Sequence, residues 1–213
     1  ITVVSRSTLR DDHFRLVNYA GIINAPTGLF LYFFEDHYWN PQRWGGLRIG
    51  VEDLIISYAV AAIAWYTVAI IWRTRIDVRL TWSHIFRRYL QVAGGGWLMY
   101  LVVVHTDLDP MTSLLVVCIA VALLLWWLNP TNWPLAVTGM TAFPVVWFLI
   151  CWLTFLFLPE TIIRWNSSGI WGVLILGVPA GELIWALVFG AFFPLLIGFL
   201  FNIRIGGCSI RQG

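Results

Sequence analysis

The stretch G177-V-P-A-G-E-L-I-W-A-L-V-F-G-A-F-F-P-L-L-I-G-F-L-F-N-I203 contains a single charged residue, Glu182. A helix of about 20 mostly apolar residues spans the roughly 30 Å hydrocarbon core of a bilayer. A charge at that depth is costly, so an acid inside such a segment needs a structural or functional reason. The stretch therefore predicts a membrane-spanning helix, and it marks Glu182 as a candidate site residue.

The composition of the whole chain agrees with a membrane protein. Of its 213 residues 60% are apolar and 11% are charged, and the mean hydropathy is +0.79. Soluble domains have about 25% charged residues, so this chain cannot build a water-soluble surface. The net charge of +2 gives no reason to expect a nucleic-acid partner. The three cysteines lack C-x-x-C spacing and no glycine-rich nucleotide motif is present, so we expect neither a metal nor a cofactor.

Apolar runs between polar breaks predict the helices. An all-α, polytopic integral membrane helix bundle is expected, with Pro179 starting the last helix proper. The six predicted spans cover about residues 16–34, 51–72, 89–105, 110–128, 134–158 and 173–202.

Arginine positions predict how the bundle is oriented. Ten of the thirteen arginines lie in the N-terminal stretch, the 73–88 loop and the C-terminal tail. With six spans these segments fall on one side, which the positive-inside rule assigns to the cytoplasm. We expect a bacterial inner membrane or a photosynthetic membrane.

The opening motif has an earlier counterpart. W39-N-P-Q-R-W-G-G-L-R-I-G-V-E-D-L-I55 and W165-N-S-S-G-I-W-G-V-L-I-L-G-V-P-A-G-E-L-I184 share Trp-Asn, a glycine-containing loop and an acid followed by Leu-Ile. Each motif precedes an apolar span, and both enter from the same face. The chain is thus predicted to contain two similar repeats, 1–88 and 89–213, the second with an extra linking helix.

Each motif places a carboxylate in the first turn of a helix. Free backbone N–H groups and the helix dipole favour an anion there, so Glu52, Asp53 and Glu182 can simply cap helices. The same arrangement occurring twice, with aromatic residues around it, also fits a pocket with paired acids. The sequence leaves both interpretations open.

At these motifs the chain resembles the membrane-embedded lycopene cyclase domain family, a family of cofactor-free carotenoid cyclases. W39-N-P41 with G50-V-E-D53 resembles the first copy of the family motif, and W165-N166 with G177-V-P-A-G-E182 resembles the second. The resemblance implies ring closure of an acyclic carotenoid end without redox change, and a further helix before Ile1. It implies Glu52, Asp53 and Glu182 as the catalytic acids, and we expect the substrate to contact Trp39, Asn40, Tyr58, Trp165, Asn166 and Trp185.

Departures from the family pattern keep a second function open. Gly50-Val51 stands where the family has proline, and Gly181 stands where the first acid of the second pair belongs. The alternative is a non-catalytic accessory subunit of a larger, for example photosynthetic, membrane complex that binds pigment or lipid. The expected partners are the lipid bilayer, a carotenoid or other isoprenoid ligand, and other transmembrane subunits.

Overall fold

The helices form the bundle that the apolar runs predict. The structure, a computed structural model, describes residues 11–33, 38, 43–72, 76–77, 82–164 and 173–205. These ranges contain six α-helices, namely α1 (Asp11–Asn24), α2 (Val51–Trp72), α3 (Trp82–Val103), α4 (Pro110–Leu128), α5 (Trp133–Phe157) and α6 (Ala180–Leu200). Short 3-10 helices cover Ala25–Phe33, Trp44–Gly46, Pro130–Asn132 and Pro159–Arg164. The predicted all-α helical bundle is confirmed.

Four of these helices are long and apolar enough to cross a membrane. They are α2, α4, α5 together with the 3-10 turn before it, and α6. The limits predicted for the second and fourth spans, 51–72 and 110–128, agree with α2 and α4. Helix α1 has only 14 residues, and α3 carries Arg87 and Arg88 in its first half. Four of the six predicted spans therefore correspond to helices that could cross a membrane, and the number of spans stays a prediction.

Two predicted boundaries are wrong. The predicted first span, 16–34, is not one α-helix, because α1 ends at Asn24 and the chain continues as a 3-10 helix to Phe33. Pro26 lacks the N–H that a longer α-helix would need. The predicted loop 73–88 is too long, because α3 already begins at Trp82. The apolar residues Trp82, Ile85, Phe86 and Tyr89 recur at helical spacing, so the helix continues through Arg87 and Arg88, which interrupt the continuous apolar run.

Four two-residue strands occur in the described part of the chain: β1 (Ile76–Asp77), β2 (Leu174–Ile175), β3 (Val178–Pro179) and β4 (Arg204–Ile205). Strand β1 pairs antiparallel with β4, which ties the α2–α3 connection to the segment after α6.

The entry to α6 is a tight hairpin. Strands β2 and β3 pair antiparallel across a two-residue turn, in which Leu176 has φ 51° and Gly177 has φ 85°. Two consecutive positive φ values match the twist of a two-residue hairpin turn, and glycine adopts such values without steric cost. Pro179 then precedes the first residue of α6, as the sequence predicts, so Glu182 lies in the first turn of that helix.

Helix α6 lies at the centre of the bundle. It contacts α2, α3, α4 and α5, and the apolar core runs along it. Its closest neighbour is α5, where the backbones meet at Gly139 and Gly190: a Cβ on Gly190 would lie 2.5 Å from the carbonyl oxygen of Gly139. Small residues at a helix crossing allow such an approach in membrane proteins.

The two predicted repeats share one core. Trp65 from the first half and Phe193 from the second belong to the same buried cluster. The predicted boundary between residues 88 and 89 falls within α3. The division of the chain into two repeats stays a prediction.

Candidate functional site

A cavity of about 330 Å³ opens at the end of the bundle where α2, α4 and α6 begin and α5 ends. Both motif-bearing helices contribute to it, α2 through Ile56, Ser57 and Val60 and α6 through Glu182 and Trp185. The two helix starts therefore lie at the same end of the bundle, as the repeated motif predicts. The rest of the lining is mostly apolar and comes from α4, α5, Leu31 and Tyr38.

Glu182 is the carboxylate that lines this cavity. Its side chain is buried, with 6% of the residue exposed. The Tyr38 hydroxyl donates a hydrogen bond to Oε1 at 2.7 Å, and the Trp147 indole Nε1–H donates one to Oε2 at 2.9 Å. Buried carboxylates need such partners, because an unpaired acceptor in an apolar site costs free energy.

The two donors differ in what they allow Glu182 to do. An indole N–H is a donor only, so Trp147 fixes Oε2 as an acceptor. A phenol hydroxyl both donates and accepts, so the bond between Tyr38 and Oε1 can run in either direction. The arrangement therefore accommodates both forms of Glu182: a carboxylate, and a carboxylic acid whose proton lies on Oε1.

Aromatic rings form one wall beside this carboxyl group. The ring centroids of Trp147 and Trp185 are 5.3 Å apart, and those of Trp185 and Phe189 are 5.0 Å apart and nearly parallel. Phe143 extends the cluster from α5, with its centroid 5.9 Å from that of Trp147. The π faces of such rings attract cations, most strongly in sites without water.

The first motif places its buried acid elsewhere. Asp53 is fully buried, and its Oδ2 accepts hydrogen bonds from Arg43 Nε at 2.7 Å and from the Gly50 backbone N–H at 2.8 Å. The start of α2 is also packed tightly, because a Cβ on Gly28 would lie 2.6 Å from the carbonyl oxygen of Asp53. Asp53 thus holds the segment before α2 against the helix.

Glu52 lies in the first turn of α2 and binds a backbone N–H group, as acids at helix starts commonly do. Its Oε1 accepts a hydrogen bond from the backbone N–H of Trp44 at 2.7 Å, which joins the 3-10 turn Trp44–Gly46 to the first turn of α2. Neither Glu52 nor Asp53 is among the residues that line the Glu182 cavity. The catalytic role predicted for Glu52 and Asp53 stays a prediction, and their contacts favour a structural role.

The predicted substrate-binding residues divide into three groups. Trp185 lines the cavity. Tyr58 instead packs against α1, where its hydroxyl donates to Asn18 Oδ1 at 2.7 Å and its ring leaves no room for a Cβ at Gly21. The other four, Trp39, Asn40, Trp165 and Asn166, lie outside the described residues.

Sequence reasoning missed three residues. Trp147 was overlooked because α5 has no charged residue and its tryptophans resemble ordinary membrane packing. Tyr38 and Arg43 both lie at or within the first motif, between the acids and the preceding span, so the motif itself was the available signal. In the fold Tyr38 serves the acid of the second motif, and only the tertiary structure shows this pairing.

Comparisons with protein-family models, with curated proteins and with solved structures each gave no match. The resemblance to lycopene cyclase domains is therefore a proposal about function.

Proposed function

We propose that this protein is a membrane-embedded isomerase, similar to lycopene cyclases, that closes a ring at the end of an acyclic carotenoid in the Glu182 cavity. The observation that carries the proposal is one buried carboxyl group in a mostly apolar cavity, held by Tyr38 and Trp147 beside a cluster of aromatic rings. A cavity with a mostly apolar lining and a few polar groups suits the end of a hydrocarbon chain.

The chemistry needs an acid in its first step and a base in its last, and one carboxyl group can serve as both in turn. Glu182, as a carboxylic acid, gives its proton to the terminal alkene, so that a C–H bond forms and a tertiary carbocation results. The neighbouring double bond attacks this cation and closes the ring. A ring carbon then loses a proton to the Glu182 carboxylate, which restores the acid. No electrons are gained or lost, and the product is an isomer of the substrate.

The surrounding groups suit each step. The first step uses Glu182 in its carboxylic-acid form. The oxygen of the Tyr38 hydroxyl can accept a hydrogen bond from Glu182 when the proton is on Oε1, and neither side chain has to move. Trp147 and Trp185 line the cavity, and a cation over the face of such a ring gains roughly 0.5 to 2 kcal/mol per ring.

Expression in lycopene-accumulating bacteria, followed by chromatography of the pigments, tests the proposal. The wild-type chain should convert lycopene to a cyclic isomer, and Glu182→Gln should abolish the conversion, because an amide cannot supply the proton. Glu52→Gln is the matched control: it removes a carboxylate at the same end of the bundle but outside the cavity, so conversion should persist. Ring formation by Glu182→Gln would disprove the assignment.

A second candidate function is a non-catalytic subunit that binds a carotenoid or lipid in the same cavity. Asp53 is paired with Arg43 and does not line the cavity, so Glu182 has no second acid beside it among the described lining residues. This favours the non-catalytic candidate. In the pigment assay this candidate predicts that lycopene co-purifies with the protein unchanged. Purification in mild detergent should then also recover partner subunits.

We also propose that the arginine-rich segments face the cytoplasm of a bacterial inner or photosynthetic membrane. The support is the positive-inside distribution of arginine. The α2–α3 connection and the end of α6 lie together, because β1 pairs with β4. A cysteine introduced at Ser83 should react with a membrane-impermeant thiol reagent only after the cells are opened. Labelling in intact cells would show that the arginine-rich segments face away from the cytoplasm.

A further inference from the structure

The Glu182 cavity is short compared with the molecule that the proposed function requires. Its volume is about 330 Å³. Along α5 its lining runs from Trp147 to Phe155, which is roughly 12 Å at about 1.5 Å per residue. An acyclic carotenoid is a far longer chain. Only one end of it therefore fits inside, and the rest of the chain must lie outside the cavity.

Helices α2 and α5 flank this cavity and are joined far from it. The Trp72 indole N–H donates a hydrogen bond to the Thr138 hydroxyl at 2.9 Å, near the opposite end of the bundle. From this contact Ile56 lies 16 residues back along α2, and Thr154 lies 16 residues forward along α5. The two helices run in opposite directions, so both residues are about 24 Å from the contact, at the level of the cavity that they line.

The facing sides of the two helices become exposed towards the cavity. Leu149 and Leu153 follow Thr138 by about three and four helical turns, so they lie on the same side of α5. They are 48% and 44% exposed. On α2 Val60 is buried, whereas Ile56, one turn nearer the end of the bundle, is 39% exposed and is the most exposed of the described residues that line the cavity. The helices therefore separate and leave a gap, edged by Ile56, Leu149 and Leu153.

The gap has the character of a lipid-facing surface. The exposed side chains at its edges are apolar and belong to α2 and α5, two of the helices that are long and apolar enough to cross a membrane. Lipid acyl chains are as apolar as these side chains. On the side of α4, Tyr38 donates its hydrogen bond to Glu182 and packs against Met111 and Leu115, so this side of the carboxyl group is closed.

We propose that the Glu182 cavity takes an isoprenoid chain end from the bilayer through the gap between α2 and α5, while the rest of the chain stays among the lipid acyl chains. The identity of the chain rests on the proposed function, and the route rests on the gap. Because only the end lies inside, the cavity selects the end group and not the length of the chain. The two ends of one carotenoid must therefore enter in separate events.

A nitroxide spin label shows whether lipid or water reaches the gap, without any reaction. It is attached to Thr154→Cys in the full chain in lipid nanodiscs, with the three native cysteines, Cys118, Cys151 and Cys208, replaced by alanine. Oxygen concentrates in lipid and a nickel chelate stays in water, so this label should collide more often with oxygen. A label on Asp107→Cys, in the exposed α3–α4 connection, is the control and should prefer the chelate. Preference for the chelate at position 154 would overturn the proposal.

A bulky residue at the gap tests whether the chain passes there. The variants are expressed in lycopene-accumulating bacteria, and retained lycopene and cyclic product are measured together for each purified protein. Ile56→Trp should lose most of this total, because the indole fills the gap. Ile55→Trp is the matched control, since Ile55 is 61% exposed but does not line the cavity, and it should keep the total. Ile56→Ala should keep it as well, because the gap stays open.

The same measurement separates a failure of the route from a failure of the proposed function. Lycopene that is retained by the wild type but not cyclised, and lost from Ile56→Trp, would refute the reaction and support the route. Ring formation that is equal in Ile56→Trp and Ile55→Trp would support the reaction and overturn the route. A wild type that neither retains nor converts lycopene would overturn both.

Discussion

The close contact between α5 and α6 predicts how a single methyl group should affect the candidate site. A Cβ on Gly190 would lie 2.5 Å from the carbonyl oxygen of Gly139, whereas ordinary contacts begin near 3.4 Å. The obstructing atom belongs to the backbone and cannot rotate away. In Gly190→Ala the two helices must therefore separate by nearly 1 Å at this point.

The expected cost follows from two opposing effects. Overpacking a tight interface costs about 1 to 3 kcal/mol, while alanine is favoured over glycine in a helix by up to about 1 kcal/mol. Gly95→Ala is the control, because the added methyl group meets no atom and only the helix-propensity gain remains. We expect Gly190→Ala to be about 2 kcal/mol less stable than Gly95→Ala.

The same change should alter the site. Trp147 lies eight residues after Gly139, and Glu182 lies eight residues before Gly190 in the antiparallel partner helix. The glycine contact thus sets the spacing at which the Trp147 indole reaches Glu182. Equilibrium unfolding of the purified variants by a denaturing detergent measures the stability difference. Equal stability of Gly190→Ala and Gly95→Ala would show that the helices are not packed as described.

Three substitutions test other contacts by the same unfolding measurement. Asp53→Asn should destabilise the fold by about 3 to 5 kcal/mol, because it removes the carboxylate from a buried ion pair with Arg43, whereas Glu52→Gln should have a much smaller effect, because Glu52 lies in solvent. A smaller loss for Asp53→Asn than for Glu52→Gln would contradict the ion pair. Tyr58→Phe should cost about 1 kcal/mol by removing the hydrogen bond to Asn18, and no loss would mean that this bond does not stabilise the fold. Asp109→Ala should cost about 1 kcal/mol, because Asp109 caps α4 through the backbone N–H groups at its start, and a neutral result would rule out the cap.

The long helices could be predicted closely because the bilayer sets their length. The predicted limits of α2 and α4 coincide with the observed ones, since polar residues stop both apolar runs sharply. Helix α3 begins seven residues before its predicted start at residue 89, because Arg87 and Arg88 interrupt the continuous apolar run although the helix itself continues through them. The 3-10 segment and the short strands depend on tertiary contacts, so local pattern could not predict them.

The candidate site could be predicted only in part. The repeated acid-Leu-Ile pattern identified both buried acids, Asp53 and Glu182, and the common end of the bundle. It could not show that Arg43 binds one of them and Tyr38 the other. Arg43 and Tyr38 both come from the stretch before α2. The packing of the helices determines that Arg43 contacts Asp53 in α2 whereas Tyr38 contacts Glu182 in α6. The repeated motif therefore predicts two equivalent acids, whereas the structure places Asp53 and Glu182 in different environments.

The most direct test of the central claim, that Glu182 protonates an alkene in its cavity, is mass spectrometry of the product formed from lycopene in D₂O. A carboxyl group that has exchanged with the solvent delivers deuterium to the carbon chain in the first step. The account predicts that the cyclic product of the wild-type protein carries deuterium, and that Glu182→Gln gives no product. A cyclic product without deuterium, or no cyclic product from the wild type, would contradict it.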